Sequence, residues 1–300
     1  MRFDRLFLAS ALVAGFAAAG CDDRSSVVPI IRTDMAGTAD LSGTPPRDMA
    51  GAPGPDIAMV PPSTIADLYK NGVDRAPVTV MNAVITTQIH STGPAKSSMI
   101  CQYEAYAQDM GGSAPNGVRL YLRGKMCTAT DAGACSCPFP PNTGIQMLDD
   151  LGDGKAIGDV YTITGSWGVY LPPATDAGAS PAQHEINVAT MKKTGTGMPV
   201  TPFAIAAADL GKFAQYGQGF VQYENTLITI TPAMPAAVTA PDKYGNFTFG
   251  GAYFIGDYRF VYGNMNMFPA GGDKFTSITG IGTLPFGGGV AARQSSDFVK

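Results

Sequence analysis

The sequence predicts an all-β fold. Short stretches alternate between apolar and polar residues and are rich in β-branched and aromatic side chains, which is the period of a strand with two different faces. They lie at 78–85, 118–123, 160–164, 226–230 and 275–279. The 37 glycines and 23 prolines of the 300-residue chain indicate frequent turns between such strands. Helix is expected only at 64–71 and 203–215.

Residues 1–20 have the composition of a signal peptide. Arg2 and Arg5 precede an apolar run that closes on small residues, and this run is shorter than the roughly 20 apolar residues that span a bilayer. Cys21 follows directly, so the segment resembles the lipobox of bacterial lipoproteins, although Ala18 stands where that pattern prefers leucine. An ordinary secretory signal with an incidental cysteine is the alternative.

The lipobox resemblance implies that acylated Cys21 anchors the exported chain in membrane lipid. We expect the outer membrane or the cell surface rather than the inner membrane. Residues 21–62 then contain mostly small residues and prolines, with Asp-Met-Ala-Gly at 34–37 and again at 48–51. Because this segment has too little bulky apolar surface to offset the entropy of ordering, we expect a disordered tether. A short recognition tail is the alternative.

The folded part contains signs of an internal duplication. Gly-Asp-Val-Tyr-Thr-Ile-Thr-Gly at 158–165 returns as Gly-Asp-Lys-Phe-Thr-Ser-Ile-Thr-Gly at 272–280. Each copy lies near the end of a block that opens on a helix-like stretch and a β-branched strand. We therefore predict two similar β modules, at 63–190 and 203–299.

The order of motifs resembles the OB-fold-like modules that accompany bacterial extracellular nucleases and occur in surface lipoproteins. In that family a strand ends in a Gln-Asp-x-x-Gly-Gly turn, and a later Gly-Asp strand leads to a short final strand, here 185–187. The resemblance implies two five-stranded Greek-key barrels in tandem, whose strand 2–3 face binds oligonucleotides or oligosaccharides in many relatives. The matching segments are 64–68, 78–87, 106–112, 116–121 and 158–165.

Four further cysteines predict two disulfides, since an even number in an exported protein is typical of paired cysteines. A bridge between Cys135 and Cys137 closes too small a ring. Cys101 is therefore expected to pair with one of these two and Cys127 with the other. A four-thiolate zinc site is the alternative, but its spacings do not match the paired Cys-x(2–4)-Cys clips that zinc sites favour.

Candidate ligand-binding residues come from the strand at 118–123. If its aliphatic residues point inward, Arg119, Tyr121 and Arg123 point outward together. An aromatic ring between two guanidinium groups suits a sugar, a base or a phosphate-bearing strand. The alternative is an ordinary solvated strand face. Trp167, the only tryptophan, joins this set as a ligand platform, with core packing as its alternative.

Residue chemistry argues against an enzyme and against a cofactor. The chain has only His90 and His184, and it contains no Gly-x-Ser-x-Gly, His-Glu-x-x-His or Walker motif. Acidic residues at 149–159 suggest a calcium site, but Leu151 occupies a ligand position of the EF-hand pattern and a turn explains the cluster more simply. We therefore expect no metal.

The net charge of the chain further limits the candidate functions. The formal net charge is −4, and no basic face of the kind that strong nucleic-acid binders present is visible. The leading hypothesis is a membrane-anchored, non-catalytic binding or scaffolding protein for a glycan, peptide or protein partner. The alternatives are an accessory single-stranded nucleic-acid-binding protein that works with a separate nuclease, and a hydrolase with an unrecognised site.

Overall fold

The protein is all-β, as predicted, with a closed barrel followed by a second sheet. The computed structural model describes residues 61–94, 99–111, 116–129, 135–137, 157–170, 181–256, 269–284 and 287–300. Helix α1 (Ile65–Asn71) precedes the barrel. The first eight strands are β1 (Pro77–Ile85), β2 (His90–Pro94), β3 (Ile100–Asp109), β4 (Gly117–Met126), β5 (Thr128–Ala129), β6 (Cys135–Ser136), β7 (Val160–Tyr170) and β8 (Gln183–Gly195).

Five of these strands close into a barrel. The order is β1-β7-β8-β4-β3, and β3 returns to β1 through the pairs between 83–85 and 107–109. All contacts in the ring are antiparallel except β4 with β8, which is parallel. This is the strand order of an OB-like barrel, which confirms the expected fold class. Strand β8 continues to Gly195, past the expected end of the first module at 190.

The second sheet repeats this order. Its main path is β12-β13-β16-β15-β10-β9, with β13 and β16 parallel, as β4 and β8 are in the barrel. Within the described residues β10 and β12 do not pair, so the ring is open there. Its strands are β9 (Phe203–Ile205), β10 (Leu227–Ile230), β12 (Phe247–Phe249), β13 (Ala252–Phe254), β15 (Ser277–Thr283), β16 (Gly289–Ala291) and β17 (Phe298–Val299). The short strands β11 (Ala236–Ala237) and β14 (Lys274–Phe275) form a separate two-stranded sheet.

The repeated Gly-Asp motif makes the same backbone hydrogen bonds in both sheets. Gly158 donates to the carbonyl of Ile85 at 2.8 Å, and Ile85 donates to the carbonyl of the following aspartate at 2.9 Å. In the same way, Gly272 donates to the carbonyl of Val238 at 3.0 Å, and Val238 donates to the carbonyl of Asp273 at 2.9 Å. Both glycines have positive φ, 87° and 93°, which a residue with a Cβ rarely adopts. The duplication seen in the sequence is therefore present in the backbone geometry.

A β-bulge in β1 changes which residues face the core. Strict alternation would put Val80 and Ala83 on different faces of the strand. However, the pairing with β7 shifts between these two residues, and Asn82 has a φ of 58°. Met81 and Asn82 are consequently exposed, whereas Val80, Ala83 and Ile85 all lie in one core. The predicted strand is confirmed, but its alternation of inward and outward residues is interrupted at the bulge.

The expectation of helix at 203–215 is only partly correct. Residues Phe203–Ile205 form β9, which pairs in parallel with β10, and a 3-10 helix follows at Ala207–Phe213. The pairing of Ile205 with Ile230 supplies the backbone partners that a helix would have supplied internally. The first barrel has a shorter version of this edge, because Ser63 forms a parallel bridge with Val80 before α1 begins.

The second sheet docks onto the barrel through buried polar contacts. The backbone of Leu227 donates to Oε1 of Gln108 at 3.1 Å, and the backbone of Gly117 donates to the Thr226 hydroxyl at 3.1 Å. Tyr106, on the outward side of β3, packs with Leu227 and apolar residues of β15 and β16. One end of the outward face of β3 and β4 is therefore covered by the second sheet.

The Gln-Asp turn has a structural role in this docking. Gln108 holds the second sheet, while the carboxylate of Asp109 accepts hydrogen bonds from the backbone of Ile65 and Ala66 at 2.9 and 3.0 Å. These two N–H groups are at the start of α1, where no intrahelical partner exists. Burial raises the pKa of Asp109, and the two backbone donors oppose that effect. The motif thus joins helix, barrel and second sheet.

Candidate ligand-binding face

The outward residues of β4 lie where the sequence predicts them. The side chains of Val118, Leu120 and Leu122 are fully buried in the barrel core. Residues 119, 121 and 123 alternate with them and point away from that core. Because β4 pairs in parallel with β8, Arg119 lies beside Glu185 and Tyr121 lies beside Asn187. We call Arg119, Tyr121, Arg123, Glu185 and Asn187 the outer face.

Arg119 is neutralised by its neighbours rather than left open for a ligand. Its Nε donates to Oε2 of Glu104 at 2.5 Å, and its Nη1 donates to Oε2 of Glu185 at 2.9 Å. Glu104 is 1% exposed and also bonds Nε2 of His90 at 2.8 Å. The predicted position of Arg119 is thus correct, but its guanidinium group belongs to an internal charge network.

The pKa shifts agree with this network. Burial alone lowers the pKa of Arg119, but the carboxylates of Glu104 and Glu185 outweigh burial and raise it above its ordinary value. Burial raises the pKa of Glu185, and the charge of Arg119 opposes that rise. Buried ion pairs of this kind require each charge to have its partner, because an uncompensated buried charge is expensive.

The accessible part of the outer face is Tyr121, Arg123 and Asn187. Tyr121 is half-buried and Arg123 is exposed. Burial raises the pKa of the Tyr121 hydroxyl, and a hydrogen bond from Arg123 partly offsets that rise. A Cβ at Gly168 would lie 2.8 Å from Nδ2 of Asn187, which shows how closely this amide lies against β7. The region offers an aromatic ring, an amide and one exposed guanidinium group.

Trp167 is buried, so the structure contradicts its prediction as an exposed ligand platform. It is 1% exposed, stacks on His184 with 5.5 Å between ring centroids, and meets Tyr69 edge-on at 5.5 Å. A Cβ at Gly72 would lie 2.8 Å from its Nε1, which shows how closely the end of α1 covers the indole. The alternative of core packing is the correct one for this residue.

His184, which is partly exposed, belongs to the same aromatic cluster. Its Nδ1 lies 2.7 Å from Oε2 of Glu224, and its backbone N–H donates to Oε1 of the same carboxylate at 2.7 Å. Asn225 donates to the His184 carbonyl at 2.9 Å. Burial, followed by the charge of Glu224, raises the pKa of Tyr69 well above its ordinary value. The cluster connects the barrel to the second sheet, which sequence reasoning missed because its members are distant in the chain.

One predicted disulfide is present within the described residues. Cys101 is bonded to Cys137, with 5.4 Å between their Cα atoms, and Cys127 is also disulfide-bonded. The pairing of Cys101 with one of the two close cysteines is therefore confirmed. Cys135 lies in the short strand β6, where its backbone pairs with Ala129 of β5. The bridge connects the start of β3 to the insertion after β4.

A second aromatic surface lies on the second sheet and was not predicted. Tyr253 points outward from β13 and its ring contacts Gly289, where a Cβ would lie 3.3 Å from Cδ1. Tyr216 and Tyr244 are 59% and 64% exposed. Burial raises the pKa of Tyr253, and the nearby Asp242 and Tyr216 add to that rise. The alternating aromatic residues Tyr258, Phe260 and Tyr262 lie outside the described residues.

Several expected features fall outside what the structure describes. Cys21, the signal peptide and the tether are among them, as are the acidic residues at 149–153. Asp159 is described, and it accepts a hydrogen bond from Nζ of Lys193 at 2.5 Å. In the described ranges no group of three or more His, Cys, Asp or Glu side chains is arranged to hold a metal ion. No helix of that part has both the length and the apolar character that crossing a bilayer requires.

Comparison with known proteins adds little to this geometry. No family model matches the chain, and no curated protein matches it. A protein described as an aspartyl-tRNA synthetase from Leishmania major Friedlin aligns over 53% of this chain at 12% identity with a TM-score of 0.29, and the chain spans only 25% of its length. Two structures of mitochondrial single-stranded DNA binding proteins from S. cerevisiae align over 42% of this chain and 100% of their own, at 10% identity, with TM-scores of 0.26 and 0.24. Such scores carry no argument about function, so the OB-like assignment depends on the strand order.

Proposed function

We propose that the protein is an exported, lipid-anchored and non-catalytic binding protein, whose outer face recognises a neutral polar ligand of the glycan class. The observation that carries the ligand class is the charge balance of that face. Arg119 and Arg123 carry two positive charges, whereas Glu185 of the face and the buried Glu104 beside it, both ion-paired with Arg119, carry two negative charges. The four charges sum to zero. A half-buried tyrosine ring, an amide and one exposed guanidinium group then remain as the accessible groups.

This chemistry suits a sugar better than a nucleic-acid strand. A pyranose ring presents apolar C–H groups to an aromatic face and hydroxyl groups to amides and guanidinium groups. A nucleic-acid strand draws its affinity chiefly from lysine and arginine contacts to phosphates. The exposed tyrosines of the second sheet, Tyr216 and Tyr244, provide a second aromatic surface. There the charge of Lys243, whose Nζ lies 4.8 Å from the Tyr244 ring centroid, is balanced by its neighbour Asp242.

Binding can be tested with immobilised neutral oligosaccharides and single-stranded oligonucleotides offered to the purified full chain. We expect an oligosaccharide to bind and Tyr121→Ala to weaken its affinity about five- to 150-fold, because stacking on an aromatic ring contributes roughly 1–3 kcal/mol. Tyr170→Ala is the matched control, since Tyr170 is an exposed tyrosine of β7 outside the outer face. Salt should leave this affinity unchanged.

Two outcomes would contradict the glycan proposal. One is that every oligosaccharide fails to bind. The other is that oligonucleotides bind with an affinity that falls steeply between about 50 and 200 mM salt, which is the behaviour of a phosphate contact surface. That second result would establish the nucleic-acid alternative.

The proposed anchor has its own test. The Cys101–Cys137 disulfide supports export, because disulfides persist in oxidising compartments. Cells that express the chain and are fed a radiolabelled fatty acid should incorporate label into it and retain it in the membrane fraction. Cys21→Ala should abolish both, whereas the double variant Cys101→Ala/Cys137→Ala should leave the label in place. Labelling of the Cys21→Ala chain would refute lipidation at this residue.

A further inference from the structure

The repeated Gly-Asp motif allows the outward faces of the two sheets to be compared position by position. Two residues after the last glycine of the motif, β7 continues with Trp167 and β15 continues with Gly282. In the barrel Trp167 pairs with Ile186 of β8. In the second sheet Gly282 pairs with Val290 of β16. Ile186 and Val290, which are both buried, are therefore equivalent positions of the duplicated fold.

The outward residues beside this position differ between the two sheets. The strands that pair here in parallel are β4 with β8 in the barrel and β13 with β16 in the second sheet. One residue earlier on each strand, the barrel has Arg119 and Glu185, which are ion-paired. The second sheet has Tyr253 and Gly289 at these positions. A half-buried tyrosine beside a glycine thus takes the place of a charged pair.

Three consecutive glycines form the surface on which two tyrosine rings lie. A Cβ at Gly287 would lie 2.5 Å from Cε1 of Tyr216. A Cβ at Gly289 would lie 3.3 Å from Cδ1 of Tyr253, whereas the middle glycine approaches the buried ring of Phe220. Since two residues of chain span at most about 7 Å, the two tyrosine rings are neighbours on one outward surface.

Tyr216 is fixed in place although its side chain is largely exposed. Its backbone has a φ of 65°, and its N–H donates to the carbonyl of Gly287 at 2.5 Å. One side of the ring lies on Gly287, and 59% of the residue remains accessible to solvent. Left-handed backbone is costly for a tyrosine, and such residues concentrate at binding sites. A ring that is already fixed also loses little freedom when a ligand stacks on it.

Asp242 supplies a hydrogen-bond acceptor near these rings, because its charge adds to the effect of burial in raising the pKa of Tyr253. It is exposed, and its carboxylate accepts hydrogen bonds from the backbone of Tyr244 and Asn246 at 2.8 and 2.9 Å. Burial alone would raise the pKa of Asp242, but these hydrogen bonds outweigh burial and lower it. The carboxylate is therefore ionised at neutral pH, and the charge of Lys243 balances it.

A neutral sugar chain fits this combination of groups. Its rings present C–H groups to the tyrosine faces, its hydroxyl groups donate to the carboxylate, and the glycines let it approach the backbone closely. We infer that Tyr216, Tyr253 and Asp242, here called the tyrosine surface, bind adjoining residues of a neutral glycan. The ligand class rests on the proposed function, whereas the position rests on the equivalence of the two sheets and on the glycine contacts.

Variants of Tyr216 separate the role of the ring from the role of the backbone. Tyr216→Asn removes the ring but suits the left-handed conformation, which asparagine adopts more readily than other side chains. It should therefore fold with a melting temperature close to that of the wild type. Tyr216→Phe keeps the stacking ring. Tyr170→Ala is the matched control, since Tyr170 is an exposed tyrosine of β7 in the barrel.

Binding is followed by fluorine NMR on the purified full chain labelled with fluorotyrosine and titrated with cellohexaose, maltohexaose and mannohexaose. The signals of Tyr216 and Tyr253 are assigned by their loss in the two Tyr→Phe variants. We expect at least one hexasaccharide to shift both signals, in the wild type and in Tyr121→Ala alike. The Tyr253 titration should show at least about fivefold weaker binding in Tyr216→Asn, because a stacking ring is lost. Tyr216→Phe and Tyr170→Ala should stay within about twofold of the wild type.

The outcomes distinguish the tyrosine surface from the outer face. Shifts of the Tyr216 and Tyr253 signals that persist in Tyr121→Ala support the tyrosine surface even if the outer face binds nothing. A hexasaccharide that binds, loses affinity in Tyr121→Ala and leaves both signals in place overturns the tyrosine surface and keeps the proposed function. Equal affinity of Tyr216→Asn and the wild type overturns it as well, and so does a failure of all three sugars. A proline-rich peptide that shifts these signals where no sugar does would assign the surface to a peptide and overturn the glycan inference.

Discussion

In the barrel, β1 pairs with both β7 and β3, whereas in the second sheet β10 pairs with β15 and β9. The strand order is otherwise the same. The difference follows from strand length, because β3 has 10 residues and can curve from β4 to β1, while its counterpart β12 has only three. Duplication has kept the order of pairing, and the length of one strand decides whether the ring closes.

The two sheets also stabilise their interiors differently. The barrel combines a mainly aliphatic core, which also holds Trp167 and two tyrosines, with the Cys101–Cys137 disulfide and the charge network around Glu104. In the second sheet, aromatic rings fill much of the core and pack against one another at centroid distances of 4.9 to 6.5 Å. These rings include Phe213, Phe220, Phe247, Phe249, Phe254, Phe275 and Phe298. Buried aromatic rings contribute large apolar contact areas without a covalent or ionic partner. A core of this kind can therefore stabilise a sheet whose strands are short.

The largest effect is expected from breaking the charge network of the barrel. Glu104→Gln keeps the shape of the side chain but leaves Arg119 with one fewer carboxylate in a buried position. Removal of one partner of a buried ion pair costs about 3–5 kcal/mol. Urea unfolding followed by Trp167 fluorescence reports the barrel directly, because Trp167 is the only tryptophan. Glu185→Gln, at a side chain 15% exposed, is the control and should cost less. A loss below about 1 kcal/mol for Glu104→Gln would show that the network is not tightly coupled.

Removal of the disulfide should have the next largest effect. The Cys101→Ala/Cys137→Ala variant releases a cross-link with a sequence separation of 36 residues. Because such a bridge restricts the unfolded chain, its loss is expected to cost about 2–4 kcal/mol. The melting temperature is measured by far-UV circular dichroism with and without reducing agent. Reduction should lower it far less in the variant than in the wild type, and an equal drop in both would locate the redox-sensitive stability in another bridge.

A smaller loss of stability is expected from a change at the contact between the two sheets. Gly117 lies against the backbone of Asn225, which leaves no space for a Cβ. Gly117→Ala should therefore disturb the docking and cost about 1–3 kcal/mol, as overpacking usually does. Gly211→Ala is the control, since its new methyl group meets nothing within 4 Å. In Gly117→Ala we expect the unfolding transition followed by Trp167 fluorescence and the one followed by circular dichroism to have different midpoints. Coincident transitions would show that the sheets remain coupled without this contact.

The parts of the fold that local pattern determines were predictable. Alternation located β1, β4, β7 and β10, and the repeated Gly-Asp motif located the two equivalent turns. The bulge at Met81–Asn82 was not predictable, because it depends on a positive φ at a residue that is not glycine. Nor was β9, since its strand conformation depends on a partner strand more than 20 residues further along the chain.

For the candidate site, too, the features set by local sequence were predictable and the features set by distant residues were not. The outward direction of Arg119, Tyr121 and Arg123 follows from the period of one strand. The neutralisation of Arg119 does not, because its partners lie 15 and 66 residues away. Trp167 was misassigned for the same reason, since the rings that cover it come from α1 and β8. The direction of a side chain is local information, whereas its burial is set by the tertiary structure.

The smallest effect is expected from the pH dependence of the junction between the two sheets. Burial and the charge of Glu224 raise the pKa of Tyr69 well above its ordinary value, so the folded protein keeps this phenol neutral at a pH where the unfolded chain loses the proton. The stability that Tyr69 contributes is therefore complete below about pH 10 and is lost as the pH rises beyond it.

Tyr69→Phe tests this assignment. The variant loses the hydrogen bond from the phenol to the Gly117 carbonyl, which costs about 0.5–1.5 kcal/mol at neutral pH. It should also lose stability less steeply than the wild type between about pH 9 and 11, because it has no phenol to ionise. The free energy of unfolding is measured by urea titration across this range, with Tyr244→Phe as an exposed control. If the slopes of Tyr69→Phe and the wild type are parallel, alkaline destabilisation arises from groups outside the junction. A flatter slope in Tyr69→Phe alone would identify the contact between the sheets as the part of the molecule that alkaline pH opens first.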